Sequence, residues 1–174
     1  MAETTLPVPG EAARAMLARV RAALDAGVQA KDLYAALGTT SGLTEKAFFR
    51  LLRESITAAE LPNLLVCCCG HDCARCNVFL ATLYDDAALR REAQTYYAQA
   101  FGVPLREDEL VCLSGHSNTM LALCASCPWM ACAREKGLSS CAVCVEHPCP
   151  PLAAYQAAYV NRVNQQQGSA PAST

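Results

Sequence analysis

All twelve cysteines of this 174-residue chain lie between Cys67 and Cys149, and that crowding constrains the fold more than any other feature. The spacings are Cys69-x3-Cys73-x2-Cys76, a single Cys112, then Cys124-x2-Cys127-x4-Cys132 and Cys141-x2-Cys144-x4-Cys149. The last two triplets are one pattern repeated at a step of 17 residues. Two residues between thiols allow a tight turn that points both sulfurs at one ion, so a repeated Cys-x2-Cys is how a chain assembles a four-thiolate metal site. The pattern therefore reads as a metal-binding domain.

Cysteine use depends on compartment. The N-terminus, MAETTLPVPG, has no positive start followed by an apolar run, and no window approaches the roughly 18 continuous apolar residues of a membrane span. The chain is expected in the cytoplasm, off the membrane, where thiols stay reduced for metals rather than pairing as disulfides. A hydrophobic content of 53% suffices for a core. The formal net charge is −2, with 7 basic and 7 acidic residues over 1–66 and 7 basic and 9 acidic over 67–174. Neither part has the basic excess that phosphate-backbone binding needs, which disfavours nucleic acid as a partner and leaves a protein partner open.

Residues 1–10, with Pro7, Pro9 and Gly10, read as a flexible arm. Met16, Val20, Ala23 and Leu24 recur at helical spacing in a first helix that Gly27 ends, and a second short helix is expected over Ala30–Leu37, stopped by Gly38. Thr44 is placed as the N-cap of a third, with Leu43 and Phe48 as its hydrophobic staple and Pro62 closing the segment. So 11–62 is a three-helix segment. Asp72 is placed to cap a helix near Cys73, and Asp85 or Asp86 to start another with Leu89, Ala93, Tyr96, Tyr97 and Phe101 inward and Arg90 and Arg91 outward. A turn at 106–110, a loop at Ser114–Asn118 and a final helix marked by Leu152, Tyr155, Tyr159 and Val163 complete a cysteine-rich domain over 63–165, and 166–174 reads as a disordered tail.

The short helix, glycine turn and helix over 30–57 also outline a helix-turn-helix, with Lys46, Arg50 and Arg53 on one face. That gives one alternative, a DNA-binding regulator. The connection from Gly38 to Thr44 is longer than the motif prefers, and the same cations suit the solvated side of an amphipathic helix.

The run CGHDCARC, followed by LATLYDD, LRREA, CASC, CAREKG, CAVC, EHPC and PPL, resembles a family of bacterial and archaeal proteins called domain of unknown function 3795, over about residues 67–152. The resemblance implies a small cysteine-rich, zinc-binding domain with no established reaction, so no catalytic residue is carried over and an enzyme is not the leading expectation. The cysteines that match are Cys69, Cys73, Cys76, Cys112, Cys124, Cys127, Cys132, Cys141, Cys144 and Cys149. Two positions depart from the family: Glu109 stands where a further cysteine often precedes Cys112, and Pro128, Trp129, Met130 and Ala131 replace a more polar stretch. The first departure bears on how many ligands remain.

A closed tetrahedral zinc site needs four ligands, supplied most economically by Cys124, Cys127, Cys141 and Cys144, while a neighbour would use Cys73 and Cys76 with two of Cys69, Cys112, Cys132 and Cys149. About two zinc ions are expected. His147, between Cys144 and Cys149, is the best-placed additional ligand, with His71 and His116 as other loop histidines. Cys67 and Cys68 lie outside the matching pattern and are either redox thiols or inert core. An iron-sulfur electron carrier or redox sensor is the other alternative, because Cys69-x3-Cys73-x2-Cys76 also resembles a cluster-binding loop and Cys149-Pro150 a cluster end. The expectation is thus a mostly α protein: a three-helix segment, then a metal-stabilised domain of zinc-knuckle-like turns and short helices, acting as a binding or interaction module.

Overall fold

The computed structural model of the chain describes residues 10–29, 32–56, 64–67, 70–138 and 140–168. The arm over 1–9, Ala30 with Lys31, 57–63 including Pro62, Cys68 with Cys69, Ser139 and 169–174 lie outside the described residues, as do the side chains of Tyr159 and Val163. Among the described residues the protein is mostly helical, with one isolated antiparallel bridge, Val66 to Asp72, and no strand. No helix among them is long and apolar enough to cross a membrane.

Helix α1 spans Glu11–Asp25 and buries Met16, Val20 and Ala23, the stripe expected from their spacing. It ends where Gly27 takes a φ of +88°. The Gly27 N–H then reaches Leu24 O at 2.9 Å and the Val28 N–H reaches Ala23 O at 2.9 Å, closing a Schellman motif that satisfies carbonyls the helix leaves open. Gly38, expected to stop the second helix, does not. A π-helical turn over Tyr34–Gly38 runs on as a 3-10 turn over Thr39–Ser41, and the left-handed residue is Gly42, at φ +66°. Gly38 is needed for closeness instead, since a Cβ there would sit 2.1 Å from the Tyr34 ring. Arg19 secures this turn from α1, donating to Ser41 Oγ at 2.6 Å and Leu37 O at 3.3 Å.

Helix α2 covers Glu45–Ser55 and starts as the sequence indicates, with Thr44 Oγ1 accepting the Ala47 N–H at 3.2 Å. Its buried face brings Phe48 and Phe49 together edge-on, 5.4 Å between centroids, with Tyr34 5.5 Å from Phe48. Around these rings gathers the largest apolar cluster, which takes Met16, Val20 and Leu52 from the N-terminal segment and Leu65, Cys67, Cys73, Phe79, Leu83 and Leu113 from the cysteine-rich region. The core thus crosses the boundary expected at residue 62.

Helices α3 (Asn77–Tyr84) and α4 (Ala87–Phe101) pack as a hairpin. Asp86 caps α4 through Oδ1, accepting from Ala88 and Leu89 N–H at 2.9 and 3.1 Å. Two expectations for α4 need correction. Tyr96 is 48% exposed rather than inward, because Ala93 and Ala100 carry the buried stripe. Arg90 turns back toward α3 instead of outward, donating to Ala81 O at 3.5 Å with its Nε buried and unpartnered. Two short helices follow, α5 (Ala122–Ala125) and α6 (Pro128–Glu135), and then α7 (Pro150–Gly168), which packs against α4. Helix α7 runs three residues into the segment expected as tail.

Phe48 is fully buried at the centre of the main cluster. Replacing it with alanine is expected to cost about 3–5 kcal/mol in chemical denaturation, and a loss under about 1 kcal/mol would mean this cluster is not the core.

Candidate metal centre

The first cysteine loop is shaped by backbone hydrogen bonds. Gly70 N–H donates to Cys67 O at 2.8 Å, Cys67 N–H to His71 O at 2.9 Å and Cys73 N–H to Leu65 O at 3.1 Å. The reversal requires the φ of +86° that Gly70 adopts. Asp72 Oδ1 then accepts the Ala74 N–H at 3.0 Å, capping a 3-10 turn over Cys73–Arg75, as its position predicts. The turn delivers Cys76 to the N-cap of α3. Cys73 goes the other way, buried in the main cluster with its Sγ accepting the Gly115 N–H at 3.4 Å. Cys67 is also buried there, and a Cβ on Gly115 would lie 2.2 Å from its Cβ, so only glycine fits against it.

Three thiols converge one layer away. Cys76, Cys112 and Cys124 all pack in the cluster built on Val78, Ala93, Leu110 and Leu121, together with Tyr97 from α4. Burial raises the proton affinity of the Tyr97 phenol well above its ordinary value, and charge on Cys76, Cys124 and Cys112 raises it further, so all three sulfurs lie within electrostatic reach of one ring. Cys76 and Cys112 respond oppositely. Burial pushes the Cys76 thiol up, but a hydrogen bond and the charge of His71, with the Phe79 and Val78 amides at the start of α3, outweigh it and leave it below the usual value. At Cys112 burial prevails over the Leu121 and Ser114 amides, and nearby Cys76 adds to the upward shift.

The repeated triplets form the expected turns. Cys127 N–H donates to Cys124 O at 3.1 Å and Cys144 N–H to Cys141 O at 3.0 Å. Cys127 then serves as N-cap of α6, with Pro128 at its first position. Cys124, Cys127 and Cys141 pack against buried Met130 and Ala133. Cys144 stands apart from that set, its Sγ 3.9 Å from Lys136 Nζ, and the Lys136 ammonium is held above its usual value by Glu146, Cys144 and Cys132. Cys132 is exposed and Cys149 half-buried ahead of α7.

Of the sequence-assigned residues, then, the structure gathers Cys76, Cys112 and Cys124 in one place, Cys124, Cys127 and Cys141 in the next, and Cys132 and Cys144 around Lys136. Cys69 and Cys68 lie outside the described residues. His147 is exposed, donating its N–H to Cys144 O at 3.0 Å, and the histidine that touches a thiol is His71. Glu109 does not turn toward the thiols, because its carboxylate accepts the Arg106 N–H at 2.7 Å. The ten described cysteines are all unbridged. The donors suit a borderline-soft ion, thiols and an imidazole in apolar surroundings. Among the described residues, however, no three His, Cys, Asp or Glu side chains close into a group that holds a metal ion.

Sequence reasoning missed Glu45. Its carboxylate reaches across from the first turn of α2 to the 117–119 loop, accepting from Ser117 Oγ at 2.7 Å, Asn118 N at 3.2 Å and Thr119 Oγ1 at 3.2 Å. No local pattern could reveal a partner more than 70 residues away. The cations singled out for DNA have partners at the surface: Lys46 pairs with Asp85 at 2.6 Å, Arg50 and Arg53 lie over the Tyr84 ring at 5.3 and 5.5 Å, and Arg53 Nη1 donates to Tyr84 OH at 3.0 Å.

A family model described as "Protein of unknown function (DUF3795)" matches residues 65–154. No curated protein and no solved structure matches the chain.

In metal-free reduced protein near neutral pH, Cys76 is expected to alkylate faster than Cys112, because the lowered thiol holds more thiolate. His71→Ala should slow Cys76 selectively. Peptide mapping after brief iodoacetamide treatment reads both, and equal labelling would remove His71 from the site. Separately, Glu45→Ala is expected to cost about 1–3 kcal/mol in urea denaturation through the charged hydrogen bonds it removes, and a double-mutant cycle with Ser117→Ala should show coupling between the two sites.

Proposed function

Because the chain belongs to the family described as protein of unknown function DUF3795, which supplies a kinship but no reaction, we propose that it is a non-catalytic binding module whose cysteines hold structural zinc. The observation that supports this reading is that Cys76, Cys112 and Cys124, from three well-separated stretches of chain, pack with Tyr97 in one apolar cluster. Isolated buried thiols are usually inert, but three thiols in one cluster, one of them biased toward thiolate, supply three of the four donors of a structural zinc site.

One ion would be held by Cys76, Cys112 and Cys124. Cys127, on the same turn as Cys124, supplies a further thiol. A second ion would draw on Cys141 and Cys144 with Cys132 and Cys149, where the Lys136 ammonium offsets thiolate charge. This division differs from the knuckle pair suggested by the 17-residue repeat, and it rests on the placement of Cys112 beside Cys76. Zinc supplies cross-linking alone, since it is redox-inert and a four-coordinate thiolate site leaves no open position for a substrate. Trp129, tilted against Tyr155 at 4.4 Å between centroids, shields the α6 side. A reducing compartment keeps such a donor set available.

Anaerobically purified protein is expected to carry about two zinc ions per chain and to lack the absorption near roughly 400 nm of an iron-sulfur protein. Cys112→Ser should lower the zinc content by about one equivalent, and Cys67→Ser should leave it unchanged, since Cys67 lies in the separate apolar core. A colourless protein with negligible metal would defeat the proposal, and a brown one would hand the cysteines to an iron-sulfur cluster.

A further inference from the structure

The thiols leave one part of the CAREKG segment without a role. Arg134, near the end of α6, faces a half-open cavity of about 910 Å3 between the N-terminal segment, the 115–118 loop and the turn after α6. That volume lies within the range of small-molecule sites, about 300–1,000 Å3. The guanidinium is almost unspent. It offers five N–H donors, one of which reaches Gly115 O at a long 3.4 Å, and no carboxylate among the described residues lies within ion-pair distance of it.

The loop facing it is held in an uncommon shape. Ser114 is buried, is not glycine, and has a φ of +99°, a conformation that costs about 1–3 kcal/mol and persists only where surroundings impose it. Here the surroundings are Glu45, which grips Ser117, Asn118 and Thr119, and Val66 O, 2.9 Å from His116 Nε2. The result presents the Gly115 carbonyl to Arg134 and sets His116 in the cavity wall. Burial and the charge of Arg134 hold that imidazole below its ordinary pKa, so it lines the cavity as a neutral group. Among the described lining residues Asp32 is the one carboxylate, and Val66, Met120 and Leu138 give the cavity an apolar face. One guanidinium, opposed by one acid, suits a singly charged anion better than a doubly charged one. The planar fork of arginine matches a carboxylate.

We propose that this cavity binds a small amphipathic carboxylate, its oxygens on Arg134 and its apolar body against Met120, Leu138 and Val66. The site does not depend on the zinc reading, since Arg134, Met120, Leu138 and Val66 are not candidate ligands.

Calorimetric titration of the full chain, as purified, with benzoate tests this directly. Saturable binding is expected, weakened roughly tenfold or more by Arg134→Gln and less by Arg134→Lys, which keeps the charge and loses the fork. Benzyl alcohol, similar in shape and uncharged, should bind at least about tenfold more weakly than benzoate to the unaltered protein, a comparison that needs no variant to fold. Absence of saturable benzoate binding overturns the proposal, as does equal affinity for benzyl alcohol, or unchanged benzoate affinity in a folded Arg134→Gln protein. Zinc content measured on each sample separates failure of this site from failure of the metal reading.

Discussion

Apolar burial runs out before the chain does. The dominant cluster draws on residues from Met16 to Leu113, whereas beyond residue 120 the buried hydrophobic side chains among the described residues are Leu121, Met130, Ala133 and Leu152. Ordering a residue costs about 1–2 kcal/mol of backbone entropy, and four side chains cannot offset that over so long a stretch. Short backbone bonds at the Cys-x2-Cys turns hold each turn locally but not one turn against another. Packing of Met120 and Leu138 on Met130 and Ala133, the Trp129–Tyr155 contact and the seat of α7 on α4 add to this, and the proposed zinc sites would cross-link the same turns.

The N-terminal segment lies outside the family match, yet it is built into the same body. Phe48 and Leu52 share a cluster with Cys67 and Cys73, Arg53 reaches Ala74 O at 3.3 Å, and Glu45 grips the 117–119 loop. These contacts give the cations of α2 work within the chain. The arginines of α2 lie over Tyr84 and its lysine pairs with Asp85. Exposed ion pairs of this kind contribute little to stability on their own, so the anchoring falls to the aromatic packing and to Glu45.

What was legible in the sequence is what local chemistry decides. Thr44, Asp72 and Asp86 cap the turns their positions indicated, and Gly27 ends α1, because a cap needs only its own few residues. Gly38 was misread since glycine serves two purposes: it stands under the Tyr34 ring for want of space, not at a left-handed turn. Arg90 and Tyr96 were assigned by helical phase alone, and the small Ala93 and Ala100 set the buried face of α4 instead. Among the cysteines, Cys124, Cys127 and Cys141 of the 17-residue repeat do share one small cluster, and Cys144 sits on the same turn as Cys141. Cys112, the one thiol with no local partner, packs in the same cluster as Cys76, one of the pairings the sequence leaves open.

The segment from Cys112 to Cys124 shows how these levels combine. It carries a candidate ligand at each end, so the distance between those sulfurs depends on the path of the chain between them. That path bends at Ser114, closes with the Leu113 N–H on Thr119 O at 2.7 Å, and is gripped from outside by Glu45. Gly115 can take its place only because it has no side chain to meet Cys67. A strained turn of this kind would relax if it were left to itself. The spacing of two thiols in the family-matched region is therefore set partly by a carboxylate in the N-terminal segment, and the same imposed shape brings the Gly115 carbonyl to Arg134 at the cavity.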